Sequence, residues 1–140
     1  MIQVDFYTQV DNKLLFACQL ATKAMTRQMP VLVYAAGPKE AADLDRLLWT
    51  TPSTGFVPHC GPAHRLAPET PVIIAHAPHA LHHQEILVNL QLEPPPFFSQ
   101  FQRLIEIVSL EEADKAAARA RWRFYKAQGC ELRSHDMSKK

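Results

Sequence analysis

At its N-terminal end the chain alternates twice between a run that reads as a strand and a segment that reads as a helix, and no other feature limits its fold so sharply. Residues 2–7 are rich in β-formers and alternate in polarity, while Val31, Leu32, Val33 and Tyr34 are apolar without a break, as a strand covered on both faces is. Between them Leu14, Ala17, Cys18, Ala21 and Met25 recur at helical spacing across residues 13–28, with Asp11 and Asn12 ahead as caps and Pro30 behind as a stop. Gly37 then turns the chain, Pro38 suits a first helical position, and Ala41, Leu44, Leu47 and Leu48 mark the inner side of a helix over 39–48. Strands joined through helices of this length require right-handed crossovers and a mostly parallel sheet with helices on its faces. The expected class is α/β.

The remainder continues the pattern with longer interruptions. Residues 50–71 hold five prolines and two glycines with little periodicity, so they read as a long surface connection. Residues 72–75 (VIIA) predict a strand, 76–84 a loop, and 85–90 a strand. Pro94, Pro95 and Pro96 interrupt, a short helix follows over 97–102, and 103–108 predicts the last strand. The clearest helix spans 114–129, with Asp114 suited to its first turn, Lys126 to its last, and Gly129 to the left-handed residue that ends it. Ala116, Ala117, Ala120, Phe124 and Ala127 gather on one side, expected to pack, and Lys115, Arg119, Trp122 and Lys126 on the other, expected to face solvent. After Leu132 nothing apolar anchors the chain, which predicts one domain over 1–133 and a disordered tail over 134–140. A length of 140 residues, 47% of them apolar, suits a single core.

Several chemistries lack their residues. The turns after the first two strands, TQVDNK and AAGPK, do not carry the glycines with which backbone amides cradle a phosphate, so no nucleotide-binding loop and no cofactor are expected. No GxSxG elbow occurs. Cys18, Cys60 and Cys130 have no CxxC spacing, which argues against a disulfide framework or zinc knuckle. A net charge of +1 argues against a protein that wraps nucleic acid, leaving direct binding by the basic helix as a weaker possibility. With no basic leader and no apolar run of about 20 residues, the expectation is a cytoplasmic protein with no membrane contact. His76, His79, His82 and His83 crowd together, but Pro78 breaks the run and no carboxylate stands at a partnering spacing, so no metal is expected there. His59 and His64 read the same way, as loop histidines. A small α/β enzyme built on the His76 to His83 loop is the alternative. Glu111 and Glu112 are adjacent, hence on different helix faces, and suit a helix N-terminus better than acid–base work.

Two patches remain. Trp122 is a large apolar side chain on the face its neighbours mark as solvated; it either lies flat on the surface or packs under the following tail, or it forms an apolar floor beside Lys115 and Arg119, which hold an anion. Trp49, Phe56 and Val57, with Pro52 and Pro58, either fold back over the sheet edge or expose an apolar patch fit for a protein interface.

These residues resemble the chi subunit family of bacterial DNA polymerase III. The resemblance runs through Phe6 and Tyr7, through Leu48, Trp49, Pro52, Phe56, Val57, Pro58 and His59, through Pro71, Val72, Ile74 and Ala75, and through Lys115, Arg119, Trp122 and Gly129 of the last helix. It implies a single-domain, three-layer Rossmann-like fold without nucleotide chemistry, and a non-catalytic accessory subunit of the clamp-loader assembly. The partners it implies are the psi subunit and the acidic, Phe-ended C-terminal tail of single-stranded DNA-binding protein, with DNA engaged only indirectly. Carried over position by position, the tail site falls on Val108, Lys115, Arg119 and Trp122, the last standing where the family often has Tyr. Arg123 and Lys126 join it as a steering field. The psi-facing positions fall on Leu48, Trp49, Phe56 and Val57.

Overall fold

The unbroken apolar runs become the centre of a seven-stranded sheet in which every pairing is parallel. The structure is a computed structural model that describes residues 2–27, 29–50, 59–60, 72–75 and 85–137. In chain order the elements are β1 (Gln3–Val10), α1 (Lys13–Thr26), β2 (Val31–Tyr34), α2 (Pro38–Thr50), β3 (His59–Cys60), β4 (Val72–Ala75), β5 (Ile86–Asn89), a 3-10 turn (Phe98–Gln100), β6 (Arg103–Ser109), α3 (Glu112–Ala127) and β7 (Glu131–Asp136). Across the sheet the order is β3-β4-β2-β5-β6-β1-β7. The expected α/β, Rossmann-like, mostly parallel architecture is what the chain adopts.

Strand alternation divides the core into two halves. Val31, Val33, Val72, Ile74, Ile86 and Val88 point to one face, where Ala17, Cys18, Ala21, Leu44 and Leu48 of α1 and α2 cover them. Val4, Phe6, Leu32, Tyr34, Leu87 and Leu104 point to the other, covered by Ala118 and Tyr125 of α3 and by Phe97 and Phe101. The connection from β1 through α1 runs towards β2, and that from β6 through α3 runs the opposite way, to β7. Two crossovers of one hand that run in opposite directions must lie on opposite faces. The neighbouring ends of β1 and β6 therefore open a crevice, the topological switch point at which open parallel sheets take ligands.

Two expected boundaries change. Within the stretch 50–71, expected to be a connection only, residues His59 and Cys60 form β3 and pair with Val72 and Ile73 of β4, so His59 is a strand residue. Residues 134–136, expected in a disordered tail, belong instead to β7, whose six residues pair with β1 from Gln3 to Thr8. This strand needs no apolar anchor because it is an edge, held by its main-chain ladder to β1. Gly129, at φ 84°, makes the turn out of α3 that aligns it. Residues 138–140 lie outside the described chain.

Buried carboxylates pin this end of the sheet. Asp5, 1% exposed, accepts from Arg103 Nε at 2.9 Å and Gln3 Nε2 at 3.0 Å, and lies 3.0 Å from His135 Nε2 of β7. Asp114 accepts from the Ser109 amide at 2.7 Å and from Lys13 Nζ at 3.3 Å, joining α3 to α1. Burial alone would raise both carboxyl pKa values, but these donors outweigh it and hold each below the ordinary range. A depressed folded pKa gives stability that is complete above the unfolded value, about 3.9, and is lost as pH falls through the folded one. The contribution of these two carboxylates to the urea midpoint should accordingly be constant from neutral pH to about 5 and be lost below about 4. Asp5→Asn should flatten that acid limb; a variant with the parent's pH profile would remove Asp5 from the account.

Candidate functional site

The crevice at the switch point is a cleft of about 520 Å³ between α3 and the carboxyl ends of β1, β6 and β7. Helix α3 supplies Lys115, Ala118, Arg119, Trp122 and Arg123; the strands supply Phe6, Thr8, Gln9, Val108, Ser134 and Asp136. Five of the six residues expected there from sequence therefore line one cavity: Val108, Lys115, Arg119, Trp122 and Arg123. Lys126 does not line it, and lies further along the exposed surface of α3.

The orientation of α3 decides what the cleft contains, and it differs from expectation. Ala116, Ala120, Phe124 and Ala127, expected to pack, are exposed, and Ala117 is half-buried. The buried stripe is instead Asp114, Ala118, Arg121 and Tyr125. Alanine looks apolar in a sequence, but at a surface position it simply favours helix. Arg121 and Tyr125 can be buried because a carboxylate waits for them. Glu106 of β6, 0% exposed, takes Arg121 Nε at 2.9 Å on one oxygen, and the Tyr125 hydroxyl at 2.5 Å and Asn89 Nδ2 at 2.9 Å on the other. Burial pushes the Glu106 carboxyl up, against the pull of Arg121, Tyr125 and Asn89. Arg121 Nε and Asn89 Nδ2 can only donate, and the Tyr125 hydroxyl donates to the same carboxyl group. Burial and that carboxylate together push the Tyr125 phenol far up.

With that face turned inward, Trp122 and Arg119 come to the cleft. The Trp122 indole is half-buried, its centroid 5.1 Å from the Phe6 ring at 57°, and together they form an apolar wall that Val108 and Ala118 continue as a floor. Trp122 packs inward on Phe6, and β7, the segment that follows, contributes to the same cleft. Arg119 is exposed, and no hydrogen bond or ion pair ties it to another described residue. Lys115 makes only a long contact, 3.7 Å, to the solvated Glu112. The cations stand along α3 and the acid, Asp136, on β7, so the field across the cleft is polarised. Among the described residues neither His nor Cys lines it, and no imidazole lines it beside the hydroxyls of Thr8 and Ser134 to act as base. This arrangement can hold an apolar group next to an anion.

The β1 and β7 side of the cleft was not anticipated. Thr8 and Gln9 fall beyond the expected end of the first strand, and Ser134 and Asp136 in the expected tail. For Ser134 and Asp136 the run ELRSHD after Gly129 holds one apolar residue, Leu132, and gives no alternation to mark a strand. Of the second predicted patch, Leu48, expected to face psi, is 1% exposed in the core between α2 and the sheet, so it is not a surface position. The Trp49 side chain, Phe56 and Val57 lie outside the described residues, as do residues 76–84 with the four crowded histidines. Among described residues no three His, Cys, Asp or Glu side chains converge as a metal set, and no helix is long and apolar enough to cross a membrane.

The whole described domain has counterparts. The family described as DNA polymerase III chi subunit, HolC, matches residues 1–133. Among curated proteins the chain is similar to the DNA polymerase III subunit chi of Pseudomonas aeruginosa, 37% identical with 96% of each chain covered. It is also similar to that of Haemophilus influenzae, 29% identical over 94% of this chain and 95% of the relative. For that of Escherichia coli the figures are 28% over 82% and 79%.

Proposed function

Since the chain belongs to the DNA polymerase III chi subunit family, we propose that it is a non-catalytic adaptor of the replicative polymerase. It joins the clamp loader through the psi subunit and captures the acidic C-terminal tail of single-stranded DNA-binding protein in the cleft beneath α3. The observation that carries this reading is an apolar wall, Trp122 on Phe6, beside an exposed guanidinium, Arg119, that no described residue engages. A tail that ends in an aromatic residue needs both parts, a slot for its ring and a cation for its terminal carboxylate. Arg119 is the residue type that grips a carboxylate with two parallel bonds. Lys115 and Arg123 extend positive charge along the path of upstream acidic residues, and Lys126 adds to the approach field from outside the cleft. The patch around Trp49, Phe56 and Val57 is the surface assigned to psi.

An acidic peptide ending in Phe is expected to bind with micromolar affinity, about 8 kcal/mol. The same peptide with a C-terminal amide presents no charge to Arg119 and should bind at least tenfold more weakly, by about the 1.5–3 kcal/mol typical of a charge-assisted bond. Raising the salt from about 0.05 to 0.5 M should weaken the acid form further, since the contacts are exposed and screened. Equal binding of the acid and the amide would remove the carboxylate from the site. Co-expression with psi should give a stable complex that Trp49→Ala weakens, and an unaffected complex would move the psi surface elsewhere.

A further inference from the structure

Gln9 combines three features that the fold itself does not need. From the pair Tyr7↔Ile107 to the pair Val10↔Ser109, β1 advances three residues while β6 advances two, so one extra residue bulges from β1 at Thr8 and Gln9. Within that bulge Gln9 has φ 61°, the one positive φ of a non-glycine among the described residues, a conformation that a Gln adopts only under strain. Its side chain lines the cleft, and there Gln9 Oε1 is buried with no hydrogen-bond partner among the described residues. Bulges re-aim side chains, and strain of this kind collects where a binding site requires it. A buried acceptor left without a donor is costly unless a ligand supplies one.

The chemistry of the ligand says which donor that is. On the reading of this cleft as the tail site, on which the inference rests, the occupant's acidic side chains and terminal carboxylate only accept, and its terminal ring carries no donor. What such a peptide has left to donate is its main-chain N–H. The adjoining hollow of about 360 Å³, beyond Gln9, holds Asp11 and no cation, so an acidic chain stays on the side of Lys115 and Arg119. We propose that Gln9 is a backbone reader, whose Oε1 accepts one main-chain N–H of the captured acidic peptide close to its carboxyl terminus. Arg119 then sets where the chain ends, and Gln9 sets its direction and its extended conformation.

The test is a peptide titration by fluorescence anisotropy on the full chain, with an acidic Phe-ended peptide and a set of copies each N-methylated at one amide. Gln9→Met, which keeps length and loses the acceptor, should bind five- to tenfold more weakly. One N-methylated copy should show the same loss against the parent protein and none against Gln9→Met. Gln9→Gly relieves the left-handed strain, so it should melt no lower than the parent yet bind as weakly as Gln9→Met. Loss of binding without loss of stability is what a merely structural role would not give. If both Gln9 variants bind like the parent while Arg119→Ala does not, the backbone reader is refuted and the cleft reading stands. If Arg119→Ala also binds like the parent, the cleft reading fails and takes Gln9 with it.

Discussion

Arg121→Ala should cost about 3–5 kcal/mol of folding stability, the largest effect expected of any single substitution in this protein. The guanidinium is 1% exposed, donates from Nε to Glu106 at 2.9 Å and from Nη1 to the Leu92 carbonyl at 2.8 Å, and so ties α3 to β6 and to the segment after β5. Its removal leaves a fully buried carboxylate with only the Tyr125 hydroxyl and the Asn89 amide for company. The cost arises from that uncompensated charge more than from the lost attraction, because desolvation and Coulombic gain nearly cancel in an intact buried pair. Taking away both partners, as Arg121→Met with Glu106→Leu, should therefore recover part of the loss, the remainder reflecting the buried Tyr125 hydroxyl left without its acceptor. Urea unfolding followed by circular dichroism measures both. A loss under about 1 kcal/mol for Arg121→Ala would show that the pair is hydrated and not buried. Because Arg121 precedes Trp122 on α3, the single variant should also loosen the cleft wall.

Arg119→Ala should leave stability within about 0.5 kcal/mol of the parent, as exposed positions do, and should weaken binding of the acidic tail peptide by about 2–3 kcal/mol, roughly 30- to 150-fold. The two arginines lie two residues apart on one helix and divide its roles: Arg121 faces the core and Arg119 the cleft. Arg119→Lys keeps the charge but loses the planar fork, and it should fall between parent and alanine variant. Isothermal titration with the peptide separates these outcomes. An alanine variant that binds as the parent does would place the carboxylate elsewhere, and a lysine variant that equals the parent would show that only the field matters.

The sheet's interior was legible because its strands are apolar without interruption. Residues 31–34 and 72–75 predicted β2 and β4 residue for residue, since a strand covered on both faces has nowhere to put a polar side chain. The edge was not legible. Strand β7 reads ELRSHD, with no residue fully buried, and it is held by main-chain bonds to β1 and by His135 beside Asp5. None of those leaves a local hydrophobic signal. The face of α3 was misjudged for a related reason: whether Arg121 can be buried depends on Glu106 and Asn89, which are distant in sequence. Helical spacing put Lys115, Arg119 and Trp122 of α3 on one face, and the family resemblance implied that this face is a site. The half of the cleft on β1 and β7 could not be foreseen, since it depends on a bulge in one strand and on the existence of the other.

On the proposed function, an acidic C-terminal peptide sits between α3 and the carboxyl ends of β1 and β6. The most direct measurement is a nitrogen-15 NMR titration of the parent protein with that peptide. The indole N–H of Trp122 and the amides of Gln9, Val108, Lys115 and Arg119 should shift together and saturate together, with the α1 and α2 face unmoved. Shifts confined to that other face, or a Trp122 indole that does not respond at saturating peptide, would contradict it.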